Sequence, residues 1–273
     1  MELRAVLADA MKMLLCNPRV FVPRIVTTAM YSAVTVCYVM LTADILSVED
    51  PVAAYSIGLK ALMLLAFMPA LYIIDLLSYA MYPRMVADLR ASRRVSLSSA
   101  LRDALAAWRV VLALGLTLFF LFLVILVSST ALAYIFATSG NMLILAVSAL
   151  AIISLVLIFA ILVFFLVPAA VLERGGVIES FRTSVRLGLK HKADILKLNL
   201  IFMALLSATV VIALEATLEG GLTFMSLLPF LLVRVLQVVV YTYLSLANPV
   251  AYIRVTVTAR PTSAQTHLND KNL

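Results

Sequence analysis

Apolar residues in this chain gather into long runs instead of alternating with polar ones. Six runs are nearly free of charge: 20–45, 56–82, 110–137, 143–172, 195–218 and 223–253. Each is at least as long as the about 18–20 residues that a helix needs to cross about 30 Å of hydrocarbon. Helices are the form to expect, because an open sheet would leave backbone polar groups unsatisfied in lipid. The pattern predicts an all-α polytopic membrane protein with a single six-helix transmembrane domain over residues 1–254. The stretch 255–273 is polar and without period, which predicts a disordered cytoplasmic tail.

Three shorter segments, 3–14, 97–108 and 178–189, have a different rhythm. Leu3, Leu7, Ala10, Met11 and Leu14 recur at helical spacing, as do Leu97, Leu101, Leu105 and Trp108, and then Ile178, Phe181, Val185 and Leu189. Their other faces are charged. Such a helix suits the headgroup plane of an anionic bilayer, and Arg94, Arg102, Arg109, Arg182, Arg186 and Lys190 are the candidate lipid contacts. The same stripe equally suits covering the inner ends of neighbouring spans.

The chain also repeats itself. Leu7, Asp9, Ala10 and Met11 correspond to Leu101, Asp103, Ala104 and Leu105; Leu101, Arg102, Ala104 and Leu105 in turn correspond to Phe181, Arg182, Ser184 and Val185. Even-numbered spans end alike at Pro83, Pro168 and Pro249. Both markers return every ~80–95 residues, which predicts three units, each an interfacial helix followed by a transmembrane hairpin. The units share one topology, unlike the inverted repeats of many secondary transporters.

Charge sets the orientation. Of 21 basic residues, all but Lys60 and Arg234 fall in the N-terminal segment, the second-to-third and fourth-to-fifth connections, or the tail. The positive-inside rule then predicts a multi-pass cell-membrane protein with both termini cytoplasmic. Composition agrees: 64% of residues are hydrophobic and 13% charged, against about 45–50% and about 25% in soluble domains. Mean hydropathy is +1.12. In this setting a net charge of +7 reads as cytoplasmic loop charge and gives no reason to expect a nucleic-acid partner. Residues 1–15 are amphipathic and lack the basic stub, apolar run and small-residue site of a signal peptide.

The run Val167-Pro168-Ala-Ala-Val-Leu-Glu173-Arg-Gly175-Gly176-Val-Ile-Glu179-Ser180-Phe-Arg182-Thr-Ser184, followed by Lys190 and another span, resembles a family of prokaryotic six-helix membrane proteins. These are similar to the membrane domain attached to some glycerophosphodiester phosphodiesterases. Ser180 stands where that pattern has alanine. The resemblance implies an integral membrane domain, and not phosphodiesterase activity, which in that family belongs to a separate soluble domain.

Two charges lie deep in apolar runs: Asp75 in the second and Arg234 in the sixth. Each costs about 2.5–3.5 kcal/mol unpaired at a helix centre, so a partner is expected. Counted from the outer ends of their spans, the two lie within reach of each other. Asp75 is therefore the first expected partner of Arg234, and Glu215 the second. Glu173 and Glu179 read as turn and first-turn helix charges. His191 and His267 stand too far apart in sequence and setting for a metal pair, and Cys16 and Cys37 form no CxxC motif, so no cofactor or metal is expected. No spacing suggests a phosphate loop or a nucleophile–base pair. Two functions stay open. One is a non-enzymatic protein that organises anionic lipid or a membrane protein partner through its basic helices. The other is a small transporter or channel using Asp75 and Arg234, its small-molecule substrate unspecified. A cavity joining those two residues favours the second.

Overall fold

The computed structural model describes residues 2–47, 50–139, 142–218 and 224–259, and every regular element among them is a helix. Helix α1 (Leu3–Cys16) stops at Asn17, which the ring of Pro18 pushes out of the helical region. A 3-10 turn (Pro18–Phe21) then leads into α2 (Val22–Ser47). α3 (Pro51–Leu65) begins on Asp50, whose carboxylate accepts from the Val52 N–H at 3.0 Å. Pro51 fills the first helical position, where a missing N–H does no harm. After a two-residue break come α4 (Met68–Arg90), α5 (Leu97–Ala106, capped by Ser96) and α6 (Trp108–Ser139). α7 (Met142–Val163) and α8 (Leu166–Glu173) flank a second break, followed by α9 (Val177–Lys190), α10 (Lys192–Leu218) and α11 (Phe224–Ala259).

Five stretches are long and apolar enough to cross a membrane: Pro18–Leu41, Tyr55–Arg90, Trp108–Phe136, Met142–Glu173 and Pro229–Val257. The remaining expected run, 195–218, falls in the 27-residue α10, whose side chains are described only as far as Thr209. α7 has no buried residue, and Phe119, Phe120, Phe122 and Leu150 point outward. A helix apolar on all sides with its large side chains outward is one built for lipid.

The core lies at the end where the basic residues gather. Tyr82, Met85, Val86, Leu166, Leu246, Val250 and Tyr252 are almost wholly buried, and they belong to the pieces of α4, α8 and α11 that carry Pro83, Pro168 and Pro249. These three pieces meet one another. Pro168 explains the break before α8. Its ring nitrogen has no hydrogen to donate to the usual helical bond, which frees the carbonyl four residues back. That carbonyl, Phe164 O, receives Asn248 Nδ2 at 2.7 Å. Ser184 from α9 settles the rest of the break, donating to Leu162 O at 2.7 Å and accepting from Phe165 N at 3.2 Å.

The three amphipathic segments are helices, but their large apolar stripes do not all face inward. α1 buries Val6, Ala10 and Leu14 against α11. α5 instead buries Ala100 and Ala104 against α4, leaving Leu101, Leu105 and Trp108 exposed. α9 buries Ser180, Thr183, Ser184, Leu187 and Gly188, and exposes Ile178, Phe181 and Leu189. Of the two uses left open for such a stripe, covering the span ends does not describe α5 and α9. Close backbone approach is the reason: a Cβ on Gly188 would lie 2.5 Å from Ile161 O.

Ion pairs tie this end together. Asp9 on α1 holds Arg90 at 3.2 Å and Arg254 at 2.7 Å. Asp103 on α5 holds Arg84 at 3.5 Å and Arg174 at 3.3 Å. The expected tail boundary at 255 also moves. α11 runs on to Ala259, because Val255 is buried and Arg254 is anchored to Asp9.

Candidate functional site

Helix α2 passes beside α4 and α11, and a polar chamber of about 440 Å³ opens between the three. Its lining supplies Arg24, Thr27, Thr28, Tyr31 and Thr35 from α2, Asp75 from α4, and Arg234, Gln237 and Tyr241 from α11. Arg24, Thr28, Tyr31 and Thr35 recur every three to four residues, so one face of α2 brings them to one wall. α4 fixes the entry of α2: Ser78 Oγ donates to Pro23 O at 3.2 Å, and Tyr82 Oη donates to Val20 O at 3.0 Å.

Within the chamber the expected Asp75–Arg234 pair does not form. Asp75 is held by Arg24 NH1, and Arg24 also donates to Ser245 Oγ through Nε at 3.2 Å and NH2 at 3.0 Å. Arg234 turns to neutral groups. It donates to Gln237 Oε1 at 2.9 Å and to Thr35 Oγ1 at 3.4 Å, and its guanidinium lies 4.8 Å from the centre of the Phe230 ring. Among the described residues no carboxylate comes within ion-pair distance of it. Glu215, the second expected partner, has a side chain outside the described residues. The pairing fails because Arg24 reaches Asp75 first, from the neighbouring helix.

Arg24 and Tyr241 also border a second, partly open cavity of about 410 Å³. Its walls come from α6, α7 and α10 and are apolar; Asn199, Ser245 and Asn248 form its polar end with Arg24.

The six candidate lipid contacts, Arg94, Arg102, Arg109, Arg182, Arg186 and Lys190, are all exposed. They divide cleanly from Arg84, Arg90, Arg174 and Arg254, which bind Asp9 or Asp103. Glu173 accepts a hydrogen bond from Tyr252 Oη, and Glu179 lies in the first turn of α9. Among the described residues no three His, Cys, Asp or Glu side chains cluster as metal ligands, and Cys16 and Cys37 are free. His267 lies outside the described residues.

The sequence reading missed Arg24, Asn199 and Asn248 as site residues. Arg24 lies four residues inside the apolar run 20–45, and that depth was the available signal. Asn199 and Asn248 are amides inside apolar runs, one of them directly before a proline. No known protein family matches this chain, and no characterised protein or solved structure is detectably similar to it.

Proposed function

We propose that this is a non-enzymatic, six-span cell-membrane protein with both termini cytoplasmic, which binds and passes a small monoanionic solute through the chamber between α2, α4 and α11. The observation that carries this reading is the charge balance. Arg24 and Asp75 cancel, while Arg234 has only neutral partners among the described residues, so the described lining carries one net positive charge. A guanidinium held at that depth is favourable beside water or an anion, and its planar fork suits a carboxylate. Hydroxyls from Thr27, Thr28, Thr35 and the two tyrosines supply neutral contacts around it. Proteoliposome uptake and thermal shift with acetate, lactate and pyruvate test the proposal. Both responses should vanish in Arg234→Gln and survive in part in Arg234→Lys. Absence of either response to all three acids in the unaltered protein overturns it.

The exposed stripes favour a second role alongside this one, that of organising anionic lipid or a membrane protein partner. Leu101 and Leu105 on α5, Trp108 at the start of α6, and Ile178 and Phe181 on α9 point away from the bundle beside exposed cations. That arrangement supports helices lying in the inner headgroup plane. A threefold repeat fits the packing: α5 rests on α4, α9 on α7 and α8, and α1 on α11. A single cysteine at Ser98 tests the topology, because labelling from outside intact cells is incompatible with it.

A further inference from the structure

The second cavity has its own chemistry. Its walls, among them Leu114, Leu118, Phe159, Ala160, Phe202 and Leu206, are apolar, and its volume of about 410 Å³ falls toward the lower end of the range for small-molecule sites. The polar end offers no uncompensated charge, because Arg24 is already held by Asp75 and by Ser245. What it offers is two unmatched amide atoms. Asn248 is 5% exposed, and its orientation is fixed because the carbonyl freed by Pro168 demands a donor and Nδ2 supplies it. Asn248 Oδ1 is thereby left buried without a hydrogen-bond partner. Asn199 Nδ2, in the lining of the same cavity, is buried and unpartnered too. One unmet acceptor and one unmet donor border an apolar space, and buried polar groups are rarely left so.

A hydroxyl has the chemistry that matches both, a donor for Asn248 Oδ1 and an acceptor for Asn199 Nδ2. We propose that this cavity binds a neutral amphiphile with one apolar chain capped by a hydroxyl-bearing head, of the monoacylglycerol class. The apolar walls take the chain, the two amides take the head, and the neutralised Arg24 gives no advantage to a fatty acid over its glyceryl ester. The site adjoins the anion chamber, sharing Arg24 and Tyr241 with it, but Arg234 lines the chamber alone.

Binding of 1-monomyristoylglycerol to the delipidated full chain in detergent, compared with myristate and with tetradecane, tests the proposal. The glyceride should bind at least about tenfold more tightly than either comparator, the scale of a lost hydrogen bond to a buried partner. Asn199→Leu should remove about that factor, and Ala160→Trp should fill the wall and block binding. Asn248→Leu should do the same, but it also strands Phe164 O, so the first two variants decide the matter if it does not fold. Arg234→Gln should leave glyceride binding unchanged. Equal binding of all three probes marks an unselective apolar crevice and overturns the proposal. Preference for myristate overturns it in favour of an Arg24 anion site, and no binding at all leaves the amides to water.

Discussion

The two cavities share Arg24 and Tyr241 yet are built for opposite chemistry. On one side hydroxyls and Arg234 surround a polar space that retains a positive charge; on the other, apolar walls narrow to two amides. The partition between them is the Arg24–Asp75 pair with Ser245. One carboxylate placement thus decides which guanidinium is left uncompensated. Had Asp75 bound Arg234, the free charge would be that of Arg24, which borders both spaces.

Removing that partition is the most drastic way to break the contrast. Asp75→Leu strands Arg24, whose side chain is 10% exposed, and should cost about 2.5–3.5 kcal/mol in detergent unfolding. The double change Asp75→Leu with Arg24→Leu should recover most of this, because two apolar groups strand nothing. Additive losses in that cycle would show that the two residues are not coupled. In folded Asp75→Leu, myristate should gain on its glyceryl ester in the apolar cavity.

A smaller loss is expected from Asn248→Leu, about 1–3 kcal/mol, because Phe164 O loses its donor. Ser184→Ala acts on the same break from α9 and should cost a comparable amount, since it leaves Leu162 O and Phe165 N without their partner. Unfolding midpoints equal to those of the unaltered chain would show that water mends the break. Arg234→Gln should move stability by about 1 kcal/mol or less, since Gln237 and Thr35 border a space that can admit water. Its effect belongs in anion binding. A large stability loss there would make Arg234 a packing residue and remove the contrast.

The smallest effect concerns His191, which lines neither cavity. Burial above all lowers its pKa from the ordinary 6.5, nearby positive charge, Lys190 included, adds to this, and Asp194 opposes. Just below 6.5 the unfolded chain therefore holds more protons, so the contribution is intact above that pH and declines on acidification. His191→Gln should flatten this shallow slope in unfolding scans from pH 7.5 to 5.5. Arg234→Gln should leave it unchanged.

Much of this was legible in the sequence. Run lengths located the helices, and the prolines at 83, 168 and 249 marked what became the core. Depth singled out Asp75 and Arg234, which do share a chamber. Their pairing was not legible, because charge counting assigns Arg24 to the basic flank, while the fold places it beside Asp75. For the stripes of α5 and α9 the sequence left two directions open, and a physical difference between water and lipid separates them. In water the largest apolar face docks inward; in lipid, small residues allow the close approach that van der Waals packing needs, and the large face is free to look outward.

Asp9 links residues made at very different times. As the ribosome delivers the chain, α1 emerges before α4 and well before α11; its carboxylate can meet Arg90 once α4 is inserted, and its second partner, Arg254, arrives only with α11. The face of α1 carrying Val6, Ala10 and Leu14 stays bare until α11 covers it. A helix translated early is thus secured by one translated much later, and the packing of this end of the bundle waits for α11.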